Sequence, residues 1–443
     1  MIRLPKLSEV RARLVRSAGW LMARQVINIL NSLVLGIVLA RHLGPENFGV
    51  LSYAISLLVM LMPLTTLGMR NMALREYAAR PDDDARILGT VSAMRLGGTL
   101  AAIGVIYVIT TRFPVDYDNI VLLCMLLGVS LLFQVIDTIK EQFIALQNPR
   151  IFVIVEVCVL FAFTVLKLLL VLLDLPVDYF ILAAGAEIVA QGIGTAVAYY
   201  LRSGTPPRLT VDRGLMRTYA ANALPLLLGS ISTVIYLKID ILFLANMVGK
   251  EATGQYAVAT RLSEVWYIVP TALVMAAFPR MMELRSEAPR HYRKRMQEAM
   301  DAFAAFGTFI ALSSIFWAAP VIWLLFGPEY LAATALLQIT VWVGVVFATR
   351  QLINQHLLAE QLYWGAALIS LTGAVTNVAL NLLLIPSYGA EGAAWATLIS
   401  YTLAPLLISP LVPSLRPVAK MQILSILWAR RGFTLLRRQK GPE

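Results

Sequence analysis

The chain of 443 residues is 59% hydrophobic and only 14% charged, with a mean hydropathy of +0.74. This balance excludes an ordinary soluble domain, in which about a quarter of the residues are charged. The net charge of +11 would suggest nucleic acid as the partner of a soluble protein. In a membrane protein an excess of Lys and Arg reports orientation instead, so we expect no nucleic-acid partner.

The apolar residues are gathered into runs of about 20 residues or more, the length that a helix needs to cross the hydrocarbon core. Because the bilayer offers the backbone no water, such runs must be helical. We therefore predict an all-α membrane protein with twelve transmembrane helices, in two parallel six-helix lobes around a central cavity. In chain order the predicted spans are 18–40, 47–68, 89–111, 118–138, 151–173, 179–201, 219–245, 252–282, 298–324, 330–349, 364–385 and 390–411.

Basic residues orient these spans. If the N-terminus is cytoplasmic, only Arg41, Arg112 and Lys250 of the 37 Lys and Arg residues fall in outside loops. Such a bias predicts that both termini lie in the cytoplasm.

The cytoplasmic stretch 202–217 has the composition of a linker, with Ser-Gly-Thr-Pro-Pro at its start and several charges. Each lobe then holds an even number of spans, so both lobes enter the membrane in the same direction, as a parallel repeat does. We expect the basic tail to lie on the inner leaflet as an amphipathic segment or to be disordered. The predicted segments are a cytoplasmic N-terminal segment 1–17, an N-lobe 18–201, the linker 202–217, a C-lobe 218–412 and a basic cytoplasmic tail 413–443.

One short pattern supports the repeat. Leu39–Gly49 and Leu244–Gly254 are both Gly-punctuated breaks between apolar runs, and each follows the first span of its lobe. Gly44 and Gly49 return as Gly249 and Gly254 at one shared offset of 205 residues. We interpret both stretches as tight turns at the outer surface.

Polar residues inside spans are costly and are therefore candidates for the transport path. Arg24, Asn28 and Asn31 lie at i, i+4 and i+7 of the first span, on one helix face. In the seventh span the equivalent face carries Thr233 and continues to Asp240. We expect both faces to line the central cavity; interhelical hydrogen bonding is the alternative.

Four further charged residues are candidates for the same path. Lys238 is two positions from Asp240 and cannot share its helix face. Arg261 and Glu264, at i and i+3 of the eighth span, line the cavity or pair with each other. Arg95 lies seven residues inside the third span, so it lines the cavity or extends to the membrane surface.

Several kinds of chemistry are not indicated. Neither Cys124 nor Cys158 suggests a disulfide or thiol site, and the three histidines lack metal-ligand spacing. Gly44 and Gly49 are spaced as in a P-loop, but Val-Leu follows where Lys and Ser or Thr are required. The short outside loops leave no room for a catalytic subdomain, so we expect a protein that is not an enzyme and has no cofactor or metal.

Amides and cations in one cavity suit an amphiphile with sugar hydroxyls and an anionic phosphate, because amides bond sugars and cations offset phosphate charge. Carboxylates are similarly numerous in the spans, so the sequence leaves the net charge of the lining open. Asp240 is a candidate carrier of a coupling H⁺ or Na⁺.

Three stretches resemble a known family. They are ARHLGPENFG at 40–49 followed by Tyr53, FGPEY at 326–330, and NVALNLLLIPSYGAEGAAWAT at 377–397. Together they resemble the oligosaccharide flippases of polysaccharide export, within the superfamily that includes multidrug exporters and the lipid II flippase.

The resemblance implies a two-lobed inner-membrane transporter that works by alternating access. Its substrate would be an undecaprenyl-pyrophosphate-linked oligosaccharide, and its partners would be membrane lipid, a polysaccharide polymerase and assembly proteins. The family shares no fixed catalytic motif, so it assigns no roles to the candidate residues. An ion-coupled multidrug exporter of the same fold is an alternative, as is a membrane-embedded glycan polymerase or ligase.

Overall fold

The computed structural model describes residues 7–80, 83–145, 148–360, 362–409 and 411–427, and these residues contain helices and no strands. Of the predicted basic tail, residues 428–443 lie outside the described ranges. The helices are α1 (Leu7–Thr66), α2 (Arg70–Ala79), α3 (Asp84–Arg112), α4 (Ile120–Ser130), α5 (Asp137–Ala145), α6 (Arg150–Leu172), α7 (Val177–Ser203), α8 (Arg213–Met247), α9 (Lys250–Val265), α10 (Ile268–Glu287), α11 (Pro289–Phe326), α12 (Ala333–Ala359), α13 (Tyr363–Ile408) and α14 (Arg416–Leu427).

Among the described residues, nine helical segments are long and apolar enough to cross a membrane. They cover most of every predicted span except the eighth, 252–282, which the structure divides into α9 and α10 at Trp266 and Tyr267. The prediction of an all-α membrane protein is confirmed. The count of twelve stays a prediction.

Two of these long helices each contain two predicted spans. α1 passes through Gly44 with φ 68° and ψ 172°, and α13 passes through Gly389 with φ 56° and ψ −133°. Positive φ strains any residue with a Cβ, and glycine adopts it without that penalty. The helices therefore change direction at single glycines, where the sequence suggested short turns.

The chain forms two compact units. The first comprises residues 1–43 and 54–227, and the second comprises 44–53 and 228–443. The start of α8 belongs to the first unit, because Tyr219 and Ala223 are buried in an apolar cluster with Tyr77. These units differ from the predicted lobes in two segments: residues 44–53 belong to the second unit, and residues 218–227 belong to the first.

The segment Gly44–Tyr53 packs closely on the first turns of α9 in the second unit. A Cβ on Gly49 would lie 1.9 Å from the carbonyl oxygen of Lys250, and a Cβ on Gly254 would lie 1.9 Å from that of Pro45. The offset of 205 residues relates these two contacts, so the repeated turns bind each other reciprocally. We call this pair of contacts the glycine clasp.

The glycine clasp predicts a specific cost of adding one methyl group. Gly254→Ala would force the methyl into a backbone carbonyl, which cannot rotate away, so we expect destabilisation of about 1–3 kcal/mol. Unfolding of the purified protein in detergent measures this change. The control is Gly104→Ala, since a Cβ there meets no atom within 4 Å. Equal stability of the two variants would contradict the close approach.

Candidate functional site

The predicted polar face of α1 lies against α6 in the first unit. Arg24 Nη1 is 2.7 Å from Glu156 Oε2, and Lys140 Nζ is 2.7 Å from Glu156 Oε1. Lys140 also binds Asp137, at 2.8 Å. The carboxylates of Glu156 and Asp137 thus face the two cations Arg24 and Lys140, which balances the charge in a region of low dielectric.

The same face of α1 continues into a hydrogen bond. Thr164 donates its hydroxyl to Asn31 Oδ1 at 2.9 Å, and Asn28 is half-buried one turn before Asn31. Farther along α6, Lys167 pairs with Glu187 of α7 at 2.6 Å. Asn31 therefore forms the interhelical hydrogen bond that was the alternative to lining the cavity. The Arg24 side chain remains partly exposed.

Arg95 is buried, with 1% of its surface exposed. Its Nη2 lies 2.5 Å from Glu141 Oε1, and its Nη1 donates to Thr138 Oγ1 at 3.1 Å. The alternative that Arg95 extends to the membrane surface is wrong, because Glu141 on α5 supplies a partner inside the bundle. No spacing rule predicts this pair from the sequence, because its members are 46 positions apart.

Asp240 occupies the centre of a neutral cluster in the second unit. Its carboxylate accepts hydrogen bonds from Tyr256 at 2.8 Å, from Asn381 at 2.5 Å and from the hydroxyl of Thr397. The side chain is buried, and no described Lys or Arg forms an ion pair with it. Asp240 is thus a buried carboxylate held by neutral donors.

The amides of α13 extend this cluster. Asn381 Nδ2 also lies 3.1 Å from Asn377 Oδ1, and Asn377 Nδ2 lies 3.4 Å from Ser400 Oγ. In the part of the chain that the structure describes, Asn381 Oδ1 has no hydrogen-bond partner. An acceptor oxygen is therefore left over beside a carboxylate, and hard cations such as Na⁺ bind oxygens of this kind.

The remaining candidates of the second unit gather around the end of α9. Lys238 Nζ is 3.1 Å from Glu264 Oε1, and both side chains are partly exposed. The guanidinium carbon of Arg261 lies 5.6 Å from the centre of the Phe48 ring. Glu264 therefore pairs with Lys238 and not with Arg261, which was one of the two alternatives, and Arg261 contacts an aromatic face.

Sequence reasoning missed one arginine. Arg350 of α12 is buried, stacks near the rings of Tyr236 and Tyr401, and donates to Ser370 Oγ at 3.3 Å. Ser370 in turn accepts from Thr233, at 3.2 Å. The predicted tenth span ended at residue 349, so the sequence placed Arg350 in a cytoplasmic loop. The helix in fact continues to Ala359, ten residues beyond the predicted end of the span.

Comparison with known proteins identifies the family. Residues 14–285 match the family described as "Polysaccharide biosynthesis protein". The chain belongs to this family. The resemblance drawn from the turn motifs is thereby confirmed.

Among curated proteins, this chain is similar to the "Probable flippase AglR" of Haloferax volcanii, with 28% identity over 191 residues. That match covers 42% of this chain, and the chain spans about 40% of the length of the relative.

Solved transporter structures have the same fold. The lipid II flippase MurJ in an inward closed conformation matches with a TM-score of 0.68 at 11% identity, over 97% of this chain and 94% of MurJ. An inward-facing multidrug resistance transporter of the MATE family matches with a TM-score of 0.61 at 13% identity, over 93% of this chain and 96% of the transporter. At these identities the likeness establishes the fold alone.

The Arg95–Glu141 pair predicts a stability pattern. Arg95→Met leaves Glu141 as an uncompensated buried charge, so we expect a loss of about 3–5 kcal/mol. The double variant Arg95→Met, Glu141→Leu removes both charges and should recover most of that loss. Unfolding in detergent compares the three proteins. A double variant as unstable as the single variant would contradict charge balance as the role of Arg95.

Proposed function

We propose that this protein is a flippase. It moves an undecaprenyl-pyrophosphate-linked oligosaccharide from the cytoplasmic to the outer leaflet of the bacterial plasma membrane by alternating access, and so serves surface polysaccharide biosynthesis. The observation that carries the proposal is the family match over residues 14–285, which includes most of the candidate residues. A polysaccharide polymerase and assembly proteins are its expected partners.

The candidate residues supply the chemistry that this substrate needs. A pyrophosphate inside the bilayer requires positive charge. Arg24 and Lys238 lie in segments apolar enough to cross a membrane, Arg261 lies in α9, and all three are partly exposed. The Arg24 side chain is 23% exposed although it pairs with Glu156, and its buried Nε has no hydrogen-bond partner among the described residues. Asn28 offers an amide one turn away for sugar hydroxyls.

Coupling to an ion gradient is assigned to Asp240. A buried carboxylate without a cationic partner is unfavourable in low dielectric, and binding H⁺ or Na⁺ removes that penalty. The donors from Tyr256, Asn381 and Thr397 come from three separate stretches of α9 and α13. A cation bound to Asp240 would therefore alter hydrogen bonds that hold α8, α9 and α13 together, and this would link cation binding to conformational change.

A multidrug exporter is the second candidate, because the MATE transporter fold matches almost the whole chain. The two functions differ in cargo: a lipid-linked anion in one case and a soluble organic cation in the other. Proteoliposomes loaded with a lipid-linked oligosaccharide, with a lectin added outside, measure flipping, and efflux of a rhodamine dye measures drug export. Dye efflux without glycan flipping would overturn the proposal.

Arg24 provides the first prediction in that assay. We expect Arg24→Gln to lower the flipping rate at least about tenfold, equivalent to about 1.4 kcal/mol of lost interaction with the anionic substrate. The double variant Arg24→Gln, Glu156→Gln keeps the local charge balanced and should be equally impaired. If the double variant regained the original rate, Arg24 would serve only to balance Glu156. Unfolding temperatures of both variants control for folding.

Asp240 provides the second prediction. Asp240→Asn keeps the size of the side chain and removes its charge, so flipping should fall to the rate measured without any ion gradient. Separate Na⁺ and pH gradients across the proteoliposomes identify the coupling ion. The matched control is Tyr256→Phe, which removes one hydrogen bond and leaves the carboxylate, and should still respond to the gradient. A gradient response retained in Asp240→Asn would contradict the assignment.

A further inference from the structure

An apolar cleft of about 260 Å³ lies in the second unit between α10, α11 and α12. Its walls are formed by aliphatic, aromatic and glycine residues, and the Trp266 indole nitrogen is the one side-chain heteroatom of the lining. A cleft of this composition does not hold ordered water, because water needs two or more polar partners. Its occupant must be apolar.

The cleft is a consequence of how the helices are built. The chain breaks between α9 and α10, and Tyr267 at the break stacks on Phe347 of α12 with ring centres 4.1 Å apart. On α11, Gly307 allows close approach, since a Cβ there would lie 3.0 Å from Val345 Cα. The cleft lies between α10, which begins after this break, and the closely packed helices α11 and α12.

The cleft is open along one side. Val269 and Leu273 of α10 and Phe306 of α11 are exposed at its rim. Phe306 lies in a segment long and apolar enough to cross the membrane. An opening at this depth offers the cleft to hydrocarbon chains, whose burial against apolar walls is favourable.

Charge lies directly before the cleft along the chain. Trp266, in its wall, follows Glu264 by two residues and Arg261 by five, which corresponds to about 7.5 Å of helix rise. Lys238 pairs with Glu264 at the same level. A group of charged residues with two cations is thus followed by a dry cleft, and this order complements an amphiphile with an anionic head and a long apolar tail.

We propose that the cleft holds a segment of the polyprenyl tail of the lipid-linked substrate. The volume is below the range of about 300–1,000 Å³ typical of sites that enclose whole ligands, so it accommodates a few isoprene units and the rest of the tail stays in the bilayer. The inference rests on the proposed flippase function. It adds that the protein recognises the lipid as well as the head group.

The first test fills the cleft. Ala302→Phe places a ring among the lining residues without adding polarity, and Ala101→Phe, on an exposed position of α3, is the matched control. Flipping is measured with the same oligosaccharide pyrophosphate on an undecaprenyl chain or on a dimethylallyl chain, whose single isoprene unit is too short to fill the cleft. We expect Ala302→Phe to slow the undecaprenyl substrate about tenfold and to leave the dimethylallyl substrate and the control unchanged.

The outcomes separate the two proposals. If Ala302→Phe flips both substrates at the original rates, the tail site is wrong and the flippase function stands. If the unmodified protein flips neither substrate, the flippase function is wrong.

A second measurement does not depend on transport. A polyprenyl phosphate carrying a diazirine should label peptides of α10 and α11 that contain Leu273 or Phe306, and undecaprenyl phosphate should compete. Equal competition by phosphatidylglycerol would identify a site for bulk lipid and overturn the proposal. Absence of label from both peptides would also overturn it.

Discussion

The structure depends on one constraint: charges placed among membrane helices have no water and must be balanced by other protein groups. The first unit meets this constraint with ion pairs. Glu156 binds both Arg24 and Lys140, and Glu141 binds Arg95. The Arg24–Glu156 and Arg95–Glu141 pairs join helices that are distant in sequence, and Lys140–Glu156 joins the successive helices α5 and α6. Removing either member of a pair leaves the other as an uncompensated charge, so the pairs hold α1, α3, α5 and α6 together.

At Asp240 and Arg350 the second unit meets the same constraint without ion pairs. Asp240 is surrounded by hydroxyl and amide donors. The buried Arg350 lies beside the stacked rings of Tyr236 and Tyr401. Neutral partners stabilise a charge less completely than an opposite charge does, so the Asp240 carboxylate is less fully compensated than the carboxylates of the first unit. This difference is the basis of the ion-coupling role that we propose for Asp240.

Sequence reasoning predicted the features that depend on local composition. Apolar runs predicted the helices, and the Gly-punctuated repeat predicted two equivalent turns, whose glycines proved to touch in the glycine clasp. It did not predict the partners of the charged residues, because the carboxylate of Glu156 lies 132 positions from Arg24 and no spacing rule connects them. The apolar cleft was equally invisible, since it arises from a helix break at Trp266 within a span that hydropathy alone makes continuous.

The repeat also shows how one backbone can carry two roles. At the offset of 205 residues the position of Arg24 corresponds to Gly229 and that of Asp240 to Leu35, so the turns match while the charges in the preceding helices differ. Asn377 and Asn381, which helped to identify the family, have a physical reason to be amides: they donate to or support a carboxylate without neutralising it. A lysine at either position would form an ion pair with Asp240 and neutralise its charge. The amides therefore leave the Asp240 carboxylate without a cationic partner, which is the condition that the proposed coupling role requires.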